Sequence, residues 1–291
     1  MTEPPAGGTT VPAPAKVNLF LHVLGRRGDG YHLLDSLVAF ADVADTVTVE
    51  AAEDLTLGID GPFAAGVPTG DDNLVLRAAA ALADATGVAA GARIRLTKRL
   101  PVAAGIGGGS ADAAAALIAL SRLWRVSPVP ADLEALALGL GADVPACLVG
   151  RPAFVGGIGE DVAEAPPLPP CALILANPGV ALPTPAVFKR REGPFSAPGR
   201  FDASPAGAAD LARLLARRRN DLTAAAIALQ PAIGTVLAAL EALPGALLAR
   251  MSGSGATCFA LFATRDQAEA GADVLRQAQP AWWLEAAELL H

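Results

Sequence analysis

Histidine, cysteine and tyrosine are scarce in this chain of 291 residues, which has only three, three and one of them. His22, His32 and His291 have no metal-ligand partner at helical or zinc-finger spacing, which argues against a structural metal held by the protein alone. Cys147, Cys171 and Cys258 stand apart in apolar surroundings and read as reduced core residues, not as a disulfide framework. Basic charge is also short: 22 Lys and Arg against 29 Asp and Glu leave a formal charge of −7. Such a balance gives no footprint for duplex nucleic acid or an anionic membrane, so an anionic ligand must be held by local amides and individual cations. No apolar run approaches the length of a membrane span. The first residues, with Glu3 and the early prolines Pro4, Pro5 and Pro12, do not read as a signal peptide, and the expected location is cytoplasmic.

Against these absences stands the segment from Leu100 through Pro101, Gly105, Gly107, Gly108, Gly109, Ser110, Ala111 and Asp112, where a glycine cluster runs into an alanine-rich helix. Glycine permits positive φ and close approach of a ligand, and the first turn of a helix presents unpaired N–H groups and the positive end of its dipole. A turn capped by Ser110 is the plainer alternative, but one good N-cap residue would suffice for that, and three consecutive glycines favour a phosphate cradle. Neither common nucleotide motif fits. Counted from Gly105, a dinucleotide fingerprint would need glycine where Ser110 stands, and no lysine follows the glycines as an ATPase P-loop requires.

The length suits two ordinary domains, 1–165 and 166–291, divided at the proline cluster Pro166, Pro167, Pro169 and Pro170. Residues 1–13 read as a disordered lead-in. Alternation predicts a strand from about Pro14 through Val23, strand character over 35–40 and 45–50, and a further strand at 93–96. Helices are expected over 73–86, 110–124, 131–140, 210–216, 222–229, 233–242 and 265–277. Strand-like residues occupy 153–163 and 172–176, a second glycine turn at 252–255 leads into a strand, and a terminal strand or tail closes the chain.

Three segments together resemble one superfamily: Pro14-Ala15-Lys16-Val17-Asn18-Leu19, the glycine segment over 101–115, and Ser252-Gly253-Ser254-Gly255. Their order and spacing are similar to the three motifs of the galactokinase, homoserine kinase, mevalonate kinase and phosphomevalonate kinase superfamily. The intervening Gly28-Asp29-Gly30-Tyr31-His32, Leu140-Gly141-Ala142-Asp143-Val144-Pro145 and Pro183-Thr184-Pro185-Ala186-Val187-Phe188-Lys189 narrow the resemblance to its members that act on a cytidyl diphosphate polyol in non-mevalonate isoprenoid synthesis. The resemblance implies an α+β, two-domain small-molecule kinase fold. Its N-terminal α/β domain would bind ATP and contain a left-handed βαβ crossover, and its C-terminal domain would be ferredoxin-like. ATP would lie at the glycine loop, with magnesium arriving on it, and the small-molecule substrate would lie between the domains.

Residue roles follow from the same resemblance. Asp143 would accept or orient the tertiary 2-hydroxyl proton of the methylerythritol moiety, although an Asp before Val144-Pro145 also suits an N-cap. Lys16 opens an otherwise apolar strand, needs an anionic neighbour there, and is expected to face Asp143. Asn18 shares its strand face and could bond the substrate; its plain alternative is a solvated edge residue. Tyr31 and Phe188 would sandwich cytosine, His32 would bond its edge, and Thr184 would be a nearby polar contact. His22 fits either the site or its wall. Asn73 and Lys98 match positions near adenine, although Lys98-Arg99 reads equally as a solvated pair at a strand end. Ser110-Ala111-Asp112 departs from the usual Ser-Ser-Asn, and a carboxylate there must hold magnesium or point away from phosphate. The rival readings are a mevalonate- or homoserine-type kinase, which would have no base to stack on Tyr31 and Phe188, and a non-catalytic nucleotide-binding regulator, which would have no need of Lys16 and Asp143.

Overall fold

A computed structural model describes residues 8–89 and 91–290. The chain divides into two compact units. Unit 1 comprises residues up to Ala15, Ala44–Val102 and Gly107–Val149; unit 2 comprises Lys16–Val43, Ala103–Ile106 and Gly150–His291. The division is therefore interleaved and not a single cut at 165/166, because two long strands run through both units. These are β1 (Thr9–Arg26) and β2 (His32–Glu50), and the second merges what alternation suggested as two strands. Residues 9–13, expected as part of the lead-in, begin β1: Val11 and Ala13 are buried, and the Thr10 and Thr48 hydroxyls bond at 3.0 Å. The remainder of that lead-in, residues 1–7, lies outside the described residues.

In unit 1, β3 (Leu55–Asp60) pairs in parallel with β4 (Ala92–Thr97), and β4 pairs antiparallel with the Thr46–Glu50 end of β2. The connection from β3 to β4 contains α1 (Leu74–Thr86). Helix α2 (Gly108–Trp124) buries every residue from Ala111 to Leu117, and its run of alanines lets α1 and α4 (Val144–Val149) pack closely on it. Helix α3 (Pro130–Leu140) completes the layer. The structure starts α2 two residues before Ser110, with Gly107 in the left-handed conformation as its N-cap, so Ser110 lies within the first turn.

In unit 2, β5 (Ala153–Gly157) pairs with the Leu34–Val38 end of β2, and β6 (Asp161–Glu164) pairs with β5. The proline cluster lies inside this unit, with Pro169 buried. Four further strands, β7 (Ala172–Asn177), β8 (Leu248–Met251), β9 (Cys258–Phe262) and β10 (Trp283–Glu288), form a separate sheet in the order β10-β7-β9-β8. Fourth, first, third, second, all antiparallel, is the ferredoxin-like arrangement. Helices α5 (Thr184–Arg190), α6 (Ala208–Ala216), α7 (Thr223–Leu229), α8 (Ala232–Glu241) and α9 (Arg265–Ala278) connect these strands, and Ile174, Val236, Leu240, Phe262 and Ala272 are among their shared core. All three cysteines are buried and none is in a disulfide; burial pushes the Cys171 thiol up to about 12 and raises Cys258 as well, keeping both protonated. Among the described residues, no helix is long and apolar enough to cross a membrane.

Candidate active site

The glycine segment is not uniformly glycine for one reason. Gly105 has φ +75°, and a Cβ there would lie 2.6 Å from the Gly255 carbonyl and 2.7 Å from that of Ser252, so the fold itself demands glycine. Gly107 takes φ +63° and receives the first helical bond from Ala111 N at 2.8 Å. A Cβ on Gly108 would approach Lys98 Nζ to 3.1 Å. Gly109 differs: it is exposed, its φ is not positive, and the nearest atom to an added Cβ is Leu74 Cδ1 at an ordinary 3.5 Å. Nothing in the packing around Gly109 requires glycine. Pro101 and Ala111 are buried and frame the segment, with Ser110 half-buried at the third helical position.

Two residues matched to the adenine region are engaged within unit 1. Asn73 caps α1: its Oδ1 accepts from Val75 N at 2.8 Å and its Nδ2 donates to the Pro68 carbonyl at 2.6 Å. Lys98 is not a solvated charge at a strand end. It is buried, and Nζ donates to Asp45 Oδ2 at 2.5 Å and Asp112 Oδ2 at 2.6 Å. Asp112 thus turns toward Lys98, and burial, reinforced by the Asp45 charge and opposed by Lys98, pushes its carboxyl up to about 7. Asp143 immediately precedes α4, and its carbonyl accepts from Cys147 N at 3.1 Å, as a helix-initiating residue's does.

Unit 2 holds Lys16 and Asn18 on β1, both buried, so Asn18 is no solvated edge residue. Lys16 N donates to the Ile106 carbonyl at 2.9 Å. Asn18 donates from Nδ2 to Ser36 Oγ at 2.8 Å and from its backbone N to Ser252 Oγ at 3.1 Å, while its buried Oδ1 has no hydrogen-bond partner. Ser252 Oγ donates in turn to the Gly105 carbonyl at 2.9 Å, and Thr257 N donates to that of Ala104 at 3.1 Å. The third motif thereby holds residues 104–105 in place.

Residues that the sequence reading passed over hold this loop. Asn220 Nδ2 donates to the carbonyls of Met251 and Gly253, both at 2.8 Å, and its Oδ1 caps Leu222 N. Buried Arg250 donates to the carbonyls of Leu19, Leu215 and Arg218, and burial brings its pKa down to about 10. An arginine directly before the glycine turn, and an Asn-Asp pair after three arginines, were the signals available.

His32 stacks on Phe188 with ring centroids 5.1 Å apart, while Tyr31 is 61% exposed. Partial burial, then the charges of Arg26 and Arg191, lower the His32 pKa, which keeps its ring neutral near pH 7. Thr184 opens α5, its hydroxyl 2.7 Å from that of Ser254. His22 is a satisfied wall residue: Nδ1 lies 2.9 Å from the Ala197 carbonyl, and Nε2 accepts from Arg219 N at 3.3 Å.

Comparison with known proteins agrees with this architecture. The domain models described as GHMP kinases N terminal domain and GHMP kinases C terminal match residues 73–151 and 203–281, and the fold with these two segments defines a GHMP kinase. A homoserine kinase from Cytophaga hutchinsonii shares the fold, with a TM-score of 0.74 at 19% identity over 99% of this chain and 97% of that one. A crystal structure of 4-(cytidine 5'-diphospho)-2C-methyl-D-erythritol kinase superposes with a TM-score of 0.76 at 38% identity, covering 97% of this chain and 99% of its own. The 4-diphosphocytidyl-2-C-methyl-D-erythritol kinase of Paramagnetospirillum magneticum is 58% identical over 97% of this chain and 98% of its own, and that of Rhodospirillum rubrum is 53% identical over 99% and 94%. The chain belongs to the 4-diphosphocytidyl-2-C-methyl-D-erythritol kinase family.

Proposed function

We propose that this chain transfers the γ-phosphoryl group of ATP to the tertiary 2-hydroxyl of 4-diphosphocytidyl-2-C-methyl-D-erythritol. The observation that carries the proposal is the near-full-length identity with kinases of that name, at 58% and 53%. Phosphoryl transfer asks little covalent chemistry of a protein, so the roles to fill are positioning and charge. The amides at the start of α2 would receive the phosphates, and Gly109 supports this: the packing does not require a glycine there, whereas a phosphate against the helix terminus would. Magnesium would come with the triphosphate and offset part of its charge.

Asp143 would accept the hydroxyl proton as the oxygen attacks, and the Lys16 ammonium would offset charge on the transferring group. Asn18 Oδ1, buried and without a partner, is suited to accept from a substrate hydroxyl. Tyr31 and Phe188 would hold cytosine by stacking, His32 would read its edge as a neutral ring, and Thr184 would add a polar contact. An ADP-release assay with cytidyl, mevalonate and homoserine acceptors tests the whole. Turnover confined to the cytidyl acceptor is expected; preference for mevalonate or homoserine would overturn the substrate, and no turnover with any of them would favour a binding protein.

A further inference from the structure

The proposed reaction leaves three buried charged side chains of unit 1 unused. Lys98 bridges Asp45 and Asp112, and none of the three side chains is more than 4% exposed. Two carboxylates against one ammonium leave an excess negative charge beyond the reach of water, so the two acids cannot be equivalent. Their remaining contacts tell them apart. Asp45 Oδ1 also accepts from the backbone N–H of Arg99 at 2.5 Å and of Leu100 at 2.8 Å, so three donors meet its two oxygens. Asp112 receives a hydrogen bond from Lys98 and has the Asp45 carboxyl beside it, and its Oδ1 is buried without a hydrogen-bond partner.

The placement matters as much as the charge. Asp45 sits within β2, Arg99 and Leu100 directly precede Pro101 and the glycines, and Lys98 Nζ lies 3.1 Å from where a Gly108 Cβ would stand. One carboxylate on a long strand therefore fixes the residues entering the glycine segment and, through Lys98 and Asp112, the second turn of α2.

We propose that Asp45 is the positioning residue of the nucleotide loop, acting through Lys98 and the amides of Arg99 and Leu100, and that the charge of Asp112 is the expendable one of the triad. The proposal rests on reading the glycine segment as the ATP site. Asp45→Asn sets an amide donor against the ammonium or against the two N–H groups, so the dissociation constant of a fluorescent ATP analogue and the KM for ATP should rise about ten-fold or more. The KM for the cytidyl acceptor should stay put, and kcat at saturating ATP should fall by less than about three-fold. Asp112→Asn keeps an acceptor for Lys98, removes the excess charge, and should change nucleotide affinity by less than about three-fold. Asp45→Glu keeps the charge but moves it by one methylene, and it gives the same readout where Asp45→Asn does not fold. Folded Asp45 variants that bind the analogue as the wild type does, Asp45 variants that both fail to fold, or an Asp112→Asn loss equal to that of Asp45→Asn would each overturn the proposal. A wild-type chain that binds the analogue but does not phosphorylate the cytidyl acceptor counts against the proposed function and leaves this inference standing.

Discussion

The His32 and Phe188 rings lie 5.1 Å apart with their planes inclined by 30°, so the start of β2 and the middle of α5 meet through two flat side chains. The contact brings together two motifs separated by more than half the chain, and it leaves Tyr31 open to solvent beside it.

If these residues hold a base, stacking contributes about 1–3 kcal/mol. Tyr31→Ala and Phe188→Ala should each raise the KM of the cytidyl substrate and leave that of ATP unchanged. NMR titration should place the His32 midpoint below the ordinary histidine value, as its burial and the neighbouring Arg26 and Arg191 dictate. A shift confined to the ATP constant would move these residues to the other ligand.

Glycine substitutions should separate fold from ligand. Gly109→Ala meets only Leu74 at an ordinary distance, so its melting temperature should stay near that of the wild type while ATP affinity, measured by calorimetry, falls. Gly105→Ala faces two carbonyls and a positive φ, and it should lower stability first. Unchanged affinity in Gly109→Ala would put the phosphates elsewhere.

Asp143→Asn keeps the shape and most of any capping ability, so as a cap alone it would cost little. As proton acceptor its loss should lower kcat by roughly 10²–10⁴. Lys16→Met should also be severe, and the double variant should lose less than the product of the two single losses. Full turnover by folded Asp143→Asn, with an unchanged melting temperature, would remove Asp143 from the mechanism.

The raised pKa of Asp112 makes a prediction about stability. A carboxyl that titrates higher when folded than when unfolded favours the fold fully only below the unfolded value, and that contribution is lost as pH rises toward about 7. Asp112→Asn should therefore gain on the wild type in melting temperature between pH 5 and pH 8. Parallel curves over that range would show that Asp112 is ionised throughout.

Asn220→Ala strips two buried carbonyls and one amide of their partner, at a cost of about 1–3 kcal/mol. Because the 251–253 turn carries Ser252, which bonds Gly105, the kinetic penalty should exceed that of a substitution of equal thermal cost in α9. Equal activity at matched melting temperature would make Asn220 a purely structural residue.

Much of the fold was legible because hydrophobic spacing is local. The helices over α1, α3 and α9 and the strands β4 and β7 follow from their own periodicity. The short helices α4 and α5 were not read from pattern, since packing stabilises them more than local preference does, whereas strand β3 carries the alternation Leu55, Leu57, Ile59 and was legible but passed over. The extent of β1 and β2 was equally hidden, because the pattern of β2 breaks at Ala41-Asp42-Val43-Ala44 and only strand pairing shows it to be continuous.

The sequence by itself determined the family, since the Pro14–Leu19 segment, the glycine cluster and the Ser-Gly-Ser-Gly turn are specific together in their order and spacing, with the Tyr-His pair narrowing them further. Only the tertiary structure decided which charges meet. Lys98, for which a solvated strand end stood open beside a place near adenine, is a buried bridge between Asp45 and Asp112, and Asn18, whose plain alternative was a solvated edge, lies in the interior with one oxygen unmatched. The physical reason is that burial and long-range pairing set the state of an ionisable or amide side chain, and neither depends on the residues next to it in the chain.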